Sequence, residues 1–219
     1  MDKKVQDDVS SSQNDRRFVS HIFTQGTAGN CFKLELSDGS FFFVSPEFLL
    51  AQKIKKNLFV DEELFVLLQE ENDFFFCKEA ALKYVARREH SAFELERKLR
   101  TKKFSPEIIA KVTEYLIQRH LLDDRRFALQ RVAVRLKTKA LGRSALVGDL
   151  VAKGIAVGLA KKWVYEQVSE EDERVALAQA VEKLRRSSSK TKEKMIQSLI
   201  QKGFEFRLIQ DYLSKKEWE

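Results

Sequence analysis

Cysteine, proline and glycine are all scarce in this sequence. Its 219 residues include 2 cysteines, 2 prolines and 8 glycines. So few prolines and glycines disfavour a chain built mainly of turns and short strands. The two cysteines, Cys31 and Cys77, have no metal-binding spacing and fit a reducing, cytoplasmic compartment. The sequence also lacks any run of 18 apolar residues, which excludes a membrane-spanning helix.

Charge is distributed unevenly along the chain. Residues 1–72 carry 8 Lys/Arg and 12 Asp/Glu, whereas residues 73–219 carry 32 and 21. This asymmetry predicts two regions, of which the larger suits an acidic partner such as nucleic acid or a nucleoprotein. The first 16 residues are polar and lack the apolar core of a secretory signal, so we expect a disordered leader there.

Residues 17–72 have the pattern of a small α+β domain. The segments RFVSHIFT and CFKLEL are rich in β-branched and aromatic residues, as strands are. Asp38-Gly39 separates CFKLEL from FFFV and predicts a tight hairpin. Ser45-Pro46 then predicts the start of a short helix. We therefore expect a β-meander with one or two short helices.

A six-residue pattern occurs three times in the remainder of the chain. It is LRTKKF from Leu99, LVAKGI from Leu150 and LIQKGF from Leu199, at intervals of 51 and 49 residues. Such a period predicts a repeated unit. Apolar residues at helical spacing around each copy predict a longer first helix, a short middle helix, a tight turn and a third helix. One unit cannot bury its apolar face alone, so we expect an elongated, curved array of stacked units.

The fifth position of the pattern predicts the turn itself. Gly154 and Gly203 are expected to be left-handed helix caps. Lys103 stands there in the first copy, where we expect a turn that is mildly strained or differently capped. The matching apolar positions, expected on one buried face, are Leu95, Leu146 and Met195, then Ile108, Leu159 and Leu208, then Val112, Trp163 and Tyr212.

The predicted fold class is therefore mainly α, with tandem three-helix repeats after a small N-terminal domain that contains a β-hairpin. The predicted bounds are 1–16 for the leader, 17–72 for the N-terminal domain, and 73–122, 123–168 and 169–219 for the three repeats.

Several motifs in the helical region, taken together, resemble the RecX family over about residues 80–213. They are Arg87-x-x-x-Ser91-x-x-Glu94-Leu95, Leu121-Leu122-Asp123-Asp124-x-x-Phe127-Ala128, and Arg135 followed by Gly142 and Leu150-x-x-Lys153-Gly154-Ile155. The chain departs from the family pattern at Lys103, Arg131 and Ala140. The motif residues expected to be structural are Ser91, Glu94, Leu95, Asp123, Asp124, Phe127, Ala128, Gly142, Leu150, Gly154, Ile155 and Gly203.

This resemblance implies a non-enzymatic protein that binds RecA recombinase, mostly in the groove of its filament on single-stranded DNA. Such a protein limits filament growth and damps the ATPase, strand-exchange and coprotease activities of RecA. The implied role is regulation of DNA recombination, DNA repair and the SOS response. We expect a cytoplasmic monomer without a cofactor or a membrane partner, which binds DNA directly only weakly.

Basic residues recur near the junction of the first and middle helices of each unit. They are Arg87 and Arg88; Arg135, Lys137, Lys139 and Arg143; and Arg185, Arg186, Lys190, Lys192 and Lys194. In regularly stacked units these junctions would form a positive edge that faces DNA phosphates or an acidic protein groove. The alternative for each residue alone is a solvated cation near a helix C-terminus. Aromatic residues are not interleaved with them, so we do not expect base stacking there.

Acidic and histidine residues give no catalytic pattern. Asp123-Asp124 is expected to cap a helix N-terminus, and Ser91-x-x-Glu94 to form a capping box. The three histidines, His21, His90 and His120, are scattered, so no metal site is predicted. Two alternatives to a RecA regulator remain. One is a sequence-independent DNA-binding protein that acts without RecA, and the other, disfavoured by the missing nucleophile or metal ligands, is an enzyme acting on DNA ends.

Overall fold

The computed structural model describes residues 16–25, 31–187 and 191–215. The described part of the chain is mostly helical, with a small antiparallel sheet near its N-terminal end. None of the described helices is both long and apolar enough to cross a membrane. Apart from residue 16, the predicted leader lies outside the described residues.

The predicted meander forms a four-stranded antiparallel sheet in the order β3-β2-β1-β4. Its strands are β1 Arg17–Gln25, β2 Cys31–Leu36, β3 Phe41–Val44 and β4 Phe59–Val60. Gly39, in the hairpin between β2 and β3, has a φ of 84°. Helix α1, Pro46–Ala51, is capped by Ser45, whose Oγ accepts from the Phe48 N–H. Strand β4 was not predicted, because two residues are too short to show an alternating pattern.

Helix α2 is longer than the sequence analysis indicates. It runs without interruption over Glu62–Val85, so residue 72, the expected end of the N-terminal domain, lies inside it. The described residues form two compact units: those among residues 16–82 together with 102–112 make up one, and residues 83–101 together with those described among 113–215 make up the other. The domain bounds given above stay a prediction.

The helices after the sheet follow the predicted order of long, short and third helix three times. The first helices are α2, α5 Asp124–Lys139 and α8 Glu170–Ser187. The middle helices are α3 Ala92–Thr101, α6 Arg143–Val151 and α9 Lys192–Gln201. The third helices are α4 Pro106–Gln118, α7 Val157–Gln167 and α10 Phe206–Lys215. The tandem three-helix organisation is therefore confirmed.

The core follows the repeat, with one correction. Leu99, Leu150 and Leu199 are each fully buried. Leu159, however, was expected in the core and is 47% exposed. The next position is buried in every third helix, where it is occupied by Ile109, Ala160 and Ile209, although Ile108 is buried as well. On α7 an alanine, and not the expected leucine, therefore packs against the core.

Each turn glycine of the second and third repeats touches the middle helix of the repeat before it. A side chain at Gly203 would overlap the backbone of Ala145, and one at Gly154 would overlap Phe93. Both glycines have the predicted left-handed conformation, with φ near 85°. Lys103 is left-handed too, with a φ of 67°, but it is exposed and its turn follows no earlier repeat. Glycine is thus required for space as well as for backbone conformation, and only where a repeat precedes.

Hydrogen bonds strengthen these contacts between consecutive repeats. Ser91 Oγ, at the start of α3, donates to the Lys153 carbonyl in the next turn at 2.8 Å. At the equivalent place in the following repeat, the Gly142 N–H donates to the Lys202 carbonyl at 2.9 Å. In the second and third repeats, a turn carbonyl therefore receives a donor from the helix start that packs against it.

A carboxylate from the following repeat caps the same helix start. Asp124, on α5, accepts from the Ala92 N–H at 2.8 Å. Glu173, on α8, accepts from the Arg143 N–H at 2.9 Å. The two acids are equivalent when the hexapeptides are aligned, and both lie in the first turn of their helices. Because each bond satisfies a free N–H group of another helix, the caps hold neighbouring repeats together.

We expect Gly203→Ala to lower the free energy of unfolding by about 3 kcal/mol. The new methyl group would overlap Ala145, and alanine is strained in the left-handed conformation that Gly203 adopts. Gly148→Ala is the matched control, because Gly148 lies within α6 and has open space around it. That change should raise stability by about 0.5–1 kcal/mol. Urea unfolding of the three proteins checks both values. Equal effects of the two substitutions would contradict the conclusion that the contact of Gly203 with Ala145 stabilises the fold.

Candidate functional site

The predicted basic residues lie where first helices end and middle helices begin. Arg87 and Arg88 follow α2; Arg135, Lys137 and Lys139 end α5 and Arg143 begins α6; Arg185 and Arg186 end α8, and Lys192 and Lys194 begin α9. Lys190 lies outside the described residues. All the others are exposed except Arg135 and Arg143, which are half-buried. We call the eight exposed residues the candidate interface.

Arg143 has an internal role. Its guanidinium donates to the Val168 carbonyl through Nε at 3.0 Å and Nη2 at 2.6 Å. It also pairs with the buried Glu173 at 3.4 Å and lies over the Tyr165 ring. The side chain is only 16% exposed. Arg143 therefore ties α6 to the end of α7 and the start of α8, and we leave it out of the candidate interface.

Arg135 is partly neutralised by a neighbouring carboxylate. Asp149 on α6 pairs with Arg131 through both of its oxygens, and Arg135 lies 3.4 Å from one of them. Arg131 stands where the family pattern often has an aromatic residue. The guanidinium groups of Arg131 and Arg135 are thus turned toward α6, and they add little to the outward positive field.

The lysines at the end of α5 have a different environment. Lys137 and Lys139 are exposed, and neither ammonium has an ion-pair partner among the residues that the structure describes. Within the described part of the chain, the ion-pair partner of Arg186 on α8 is exposed Glu182, one turn earlier, at 3.6 Å. Exposed pairs of this kind contribute about 0–1 kcal/mol, so these cations stay available to an acidic partner.

Two further lysines, missed by the sequence analysis, lie at the C-terminus of α5. Lys183 Nζ on α8 donates to the Thr138 carbonyl at 3.3 Å. Lys202 Nζ, from the third hexapeptide, donates to the Lys139 carbonyl at 3.4 Å. Burial lowers the pKa of Lys202, and the positive charges of Lys183 and Lys139 lower it further. The repeated lysine of the hexapeptide was the available signal for this site.

Glu94 corrects the expected capping box. Ser91 Oγ does accept from the Glu94 N–H at 3.1 Å. The Glu94 carboxylate, however, accepts from Arg88 at 3.0 Å and from Lys153, in the next repeat, at 2.9 Å. Although burial alone would raise its pKa, the bonds from Lys153 and Arg88 hold the pKa of Glu94 at about 2. This carboxylate therefore stays ionised and joins two repeats.

Both aspartates cap helices, as predicted, but each one caps a different helix. Asp123 accepts from the N–H groups of Arg125 and Arg126 at 2.8 and 3.0 Å, which makes it the cap of α5. Asp124 instead caps α3 through Ala92. Burial raises the pKa of Asp124, the bond from Ala92 opposes this, and the charge of Asp123 raises it again.

The described residues contain no cluster of potential metal ligands, and the buried histidine among them has a structural environment. No group of three or more His, Cys, Asp or Glu side chains in this part of the chain is placed to hold a metal ion. His90 is buried, with Nδ1 2.9 Å from the Arg88 carbonyl and Nε2 2.7 Å from Lys98 Nζ. Burial lowers the pKa of His90, which favours the neutral ring, and a neutral Nε2 can accept from the Lys98 ammonium.

The remaining motif residues form the interior. Leu95, Phe127, Ala128, Leu150 and Ile155 are all at most 3% exposed. The motif that the family resemblance rests on is therefore mainly a packing motif.

Comparisons with known proteins agree with this architecture. A family model described as the first three-helix domain of RecX matches residues 77–116. Regulatory protein RecX of Chlorobium limicola is 30% identical over 136 residues, which cover 62% of this chain and 86% of that protein. Its counterpart in Bacillus subtilis is 29% identical over 207 residues, covering 92% and 78%. A crystal structure of regulatory protein RecX shares the fold, with a TM-score of 0.74, 20% identity, and coverage of 89% of this chain and 97% of the other.

We expect the Glu94 ion cluster to give stability a specific pH dependence. The pKa of this carboxyl falls from 4.5 to about 2 on folding, so its contribution is complete above pH 4.5 and is lost as the pH falls toward 2. A shift of this size corresponds to about 3 kcal/mol. Glu94→Gln should therefore be clearly less stable than the natural protein at pH 7, with the difference shrinking below pH 4.5.

Urea unfolding between pH 3 and pH 7 measures this difference. Glu114→Gln is the control, because Glu114 is exposed and should contribute less than about 0.5 kcal/mol at any pH. A constant difference between Glu94→Gln and the natural protein across the range would show that the carboxylate charge is not what matters.

Proposed function

Because the chain belongs to the RecX family of regulatory proteins, we propose that it binds RecA recombinase and the RecA filament on single-stranded DNA. Through this binding it limits filament growth and lowers the ATPase, strand-exchange and coprotease activities of RecA. It acts by occupying a surface and not by catalysis, as a cytoplasmic monomer without a cofactor. Its role is then in DNA recombination, DNA repair and the SOS response.

The exposed cations at the helix junctions are the observation that supports this proposal most directly. Lys137 and Lys139 end α5, Arg186 ends α8, and Lys194 lies in the first turn of α9. Lys194, like the two lysines of α5, has no ion-pair partner among the described side chains. Because exposed cations raise association rates with acidic partners, such a surface suits a nucleoprotein filament.

The same cations support a second candidate function, sequence-independent binding of DNA without RecA. Phosphate contacts alone give affinity that falls steeply with salt. The two functions are separated by measuring the binding of bare single-stranded and double-stranded DNA at about 150 mM salt. Tight binding there favours the second candidate, whereas binding that requires RecA favours the first.

RecA ATPase activity on single-stranded DNA tests the leading proposal. We expect the protein to inhibit this activity at fewer than one molecule per RecA subunit, since a block to filament growth affects many subunits. No inhibition at one molecule per subunit would contradict the proposal.

We expect the double change Lys137→Glu and Lys139→Glu to weaken filament binding by about 10- to 100-fold, because it reverses the local charge. The matched control is Lys161→Glu with Lys162→Glu, the same charge change on exposed positions of α7. Fluorescence anisotropy at 50 and 200 mM salt gives both affinities, and circular dichroism checks the fold. If both double variants bind alike, the end of α5 faces solvent in the complex.

A further inference from the structure

The two junctions between repeats are built alike but differ in charge. In the first, the Glu94 carboxylate lies between Arg88 and Lys153 and pairs with both. Aligning the hexapeptides places Lys139, Ala145 and Lys202 at the equivalent positions of the second junction. The second junction therefore keeps both cations and lacks the carboxylate between them.

A third cation adds to this excess. Lys183 donates to the Thr138 carbonyl, next to the Lys139 carbonyl that receives Lys202. None of Lys139, Lys183 and Lys202 pairs with a carboxylate in the part of the chain that the structure describes. The two carbonyl oxygens at the end of α5 orient the ammonium groups but carry only partial charge, so the positive charge is not balanced.

We propose that Lys139, Lys183 and Lys202 bind a phosphate group of a single-stranded nucleic-acid backbone, in the place that the Glu94 carboxylate occupies at the first junction. This site rests on the proposed function in one respect: the nucleic acid that it binds is the single-stranded DNA of the RecA filament. The site is defined by the internal comparison of the two junctions: one contains its own anion, and the other takes an anion from a partner.

The distribution of charge favours a nucleic-acid backbone over a single protein carboxylate. A carboxylate and a backbone phosphate each carry one negative charge, so three ammonium groups exceed what either neutralises alone. A nucleic-acid strand supplies further phosphates beside the first. The exposed Lys137 and Arg186 continue the positive charge beyond the junction, as a repeating polyanion requires.

Ala145→Glu tests the proposal by supplying the missing carboxylate. Its anisotropy-measured affinity for a fluorescent single-stranded 12-nucleotide DNA at 50 mM salt should fall about tenfold, because the internal carboxylate competes with phosphate. Its melting temperature should exceed that of Ala145→Gln, the neutral control of equal size. The Gln variant should keep the DNA affinity of the natural protein within about twofold. Equal affinity of the Glu and Gln variants would overturn the proposal.

Lys183→Ala gives an independent measurement, since this exposed side chain can be removed without disturbing the fold. The slope of log affinity against log salt should become shallower by about 0.7, the value for one phosphate of a single strand. Lys161→Ala, on an exposed face of α7, should leave the slope unchanged. Unchanged slopes for both variants would contradict a phosphate at this junction.

The same variants separate this site from the proposed function. If the natural protein fails to inhibit RecA ATPase while Ala145→Glu still loses DNA affinity, the phosphate site stands and the RecA role falls. If Ala145→Glu keeps its DNA affinity but no longer inhibits RecA, the anion is a carboxylate of the recombinase, and the phosphate assignment is wrong.

Discussion

The rest of the helical region depends on one backbone contact, the approach of a middle helix to the glycine turn of the following repeat. At Gly203 this approach leaves no space for a methyl group beside Ala145. At this junction the separation of repeats is thus set largely by main-chain atoms, whereas Gly154 packs against the Phe93 side chain. Hydrogen bonds from the helix start to the turn carbonyls fix its direction as well as its distance.

A second set of interactions acts on the same helix start from the next repeat. Asp124 and Glu173 reach back to cap α3 and α6, so each middle helix is held by a turn and by a carboxylate that belong to its successor. Neither bond is local in sequence. Because each satisfies a buried polar group, loss of one repeat leaves unsatisfied donors in the repeat before it. The repeats are therefore cooperative neighbours and not independent domains.

Most of the fold could be predicted from the sequence, because its determinants are local. The hairpin at Asp38-Gly39, the cap at Ser45 and the left-handed turns at Gly154 and Gly203 each depend on a few adjacent residues. Strand β4 could not be predicted, since it is defined by pairing with β1. The continuation of α2 through residue 72 could not be predicted either, because the balance of charge changes there without any break in the helix.

The candidate site was harder to predict, because its charges are set by partners distant in sequence. Arg143 and Lys139 look alike as basic residues near a helix end. Only the folded chain shows that Arg143 donates to the Val168 carbonyl and pairs with Glu173, while Lys139 stays exposed. Likewise, the sequence marks Glu94 as a capping residue, yet its carboxylate bonds to Lys153, which lies 59 residues further along the chain.

Lys103 distinguishes the turn of the first repeat from the turns of the two repeats that follow. Its two counterparts must be glycine because another repeat rests on them, so the fifth position of the hexapeptide distinguishes a turn that receives a neighbour from one that does not. If another repeat preceded the first one, its middle helix would overlap the Lys103 side chain, because this contact leaves no space for a side chain in the turn. With a lysine at this position, the first turn therefore lacks the space for a preceding middle helix that Gly154 and Gly203 provide in the later turns.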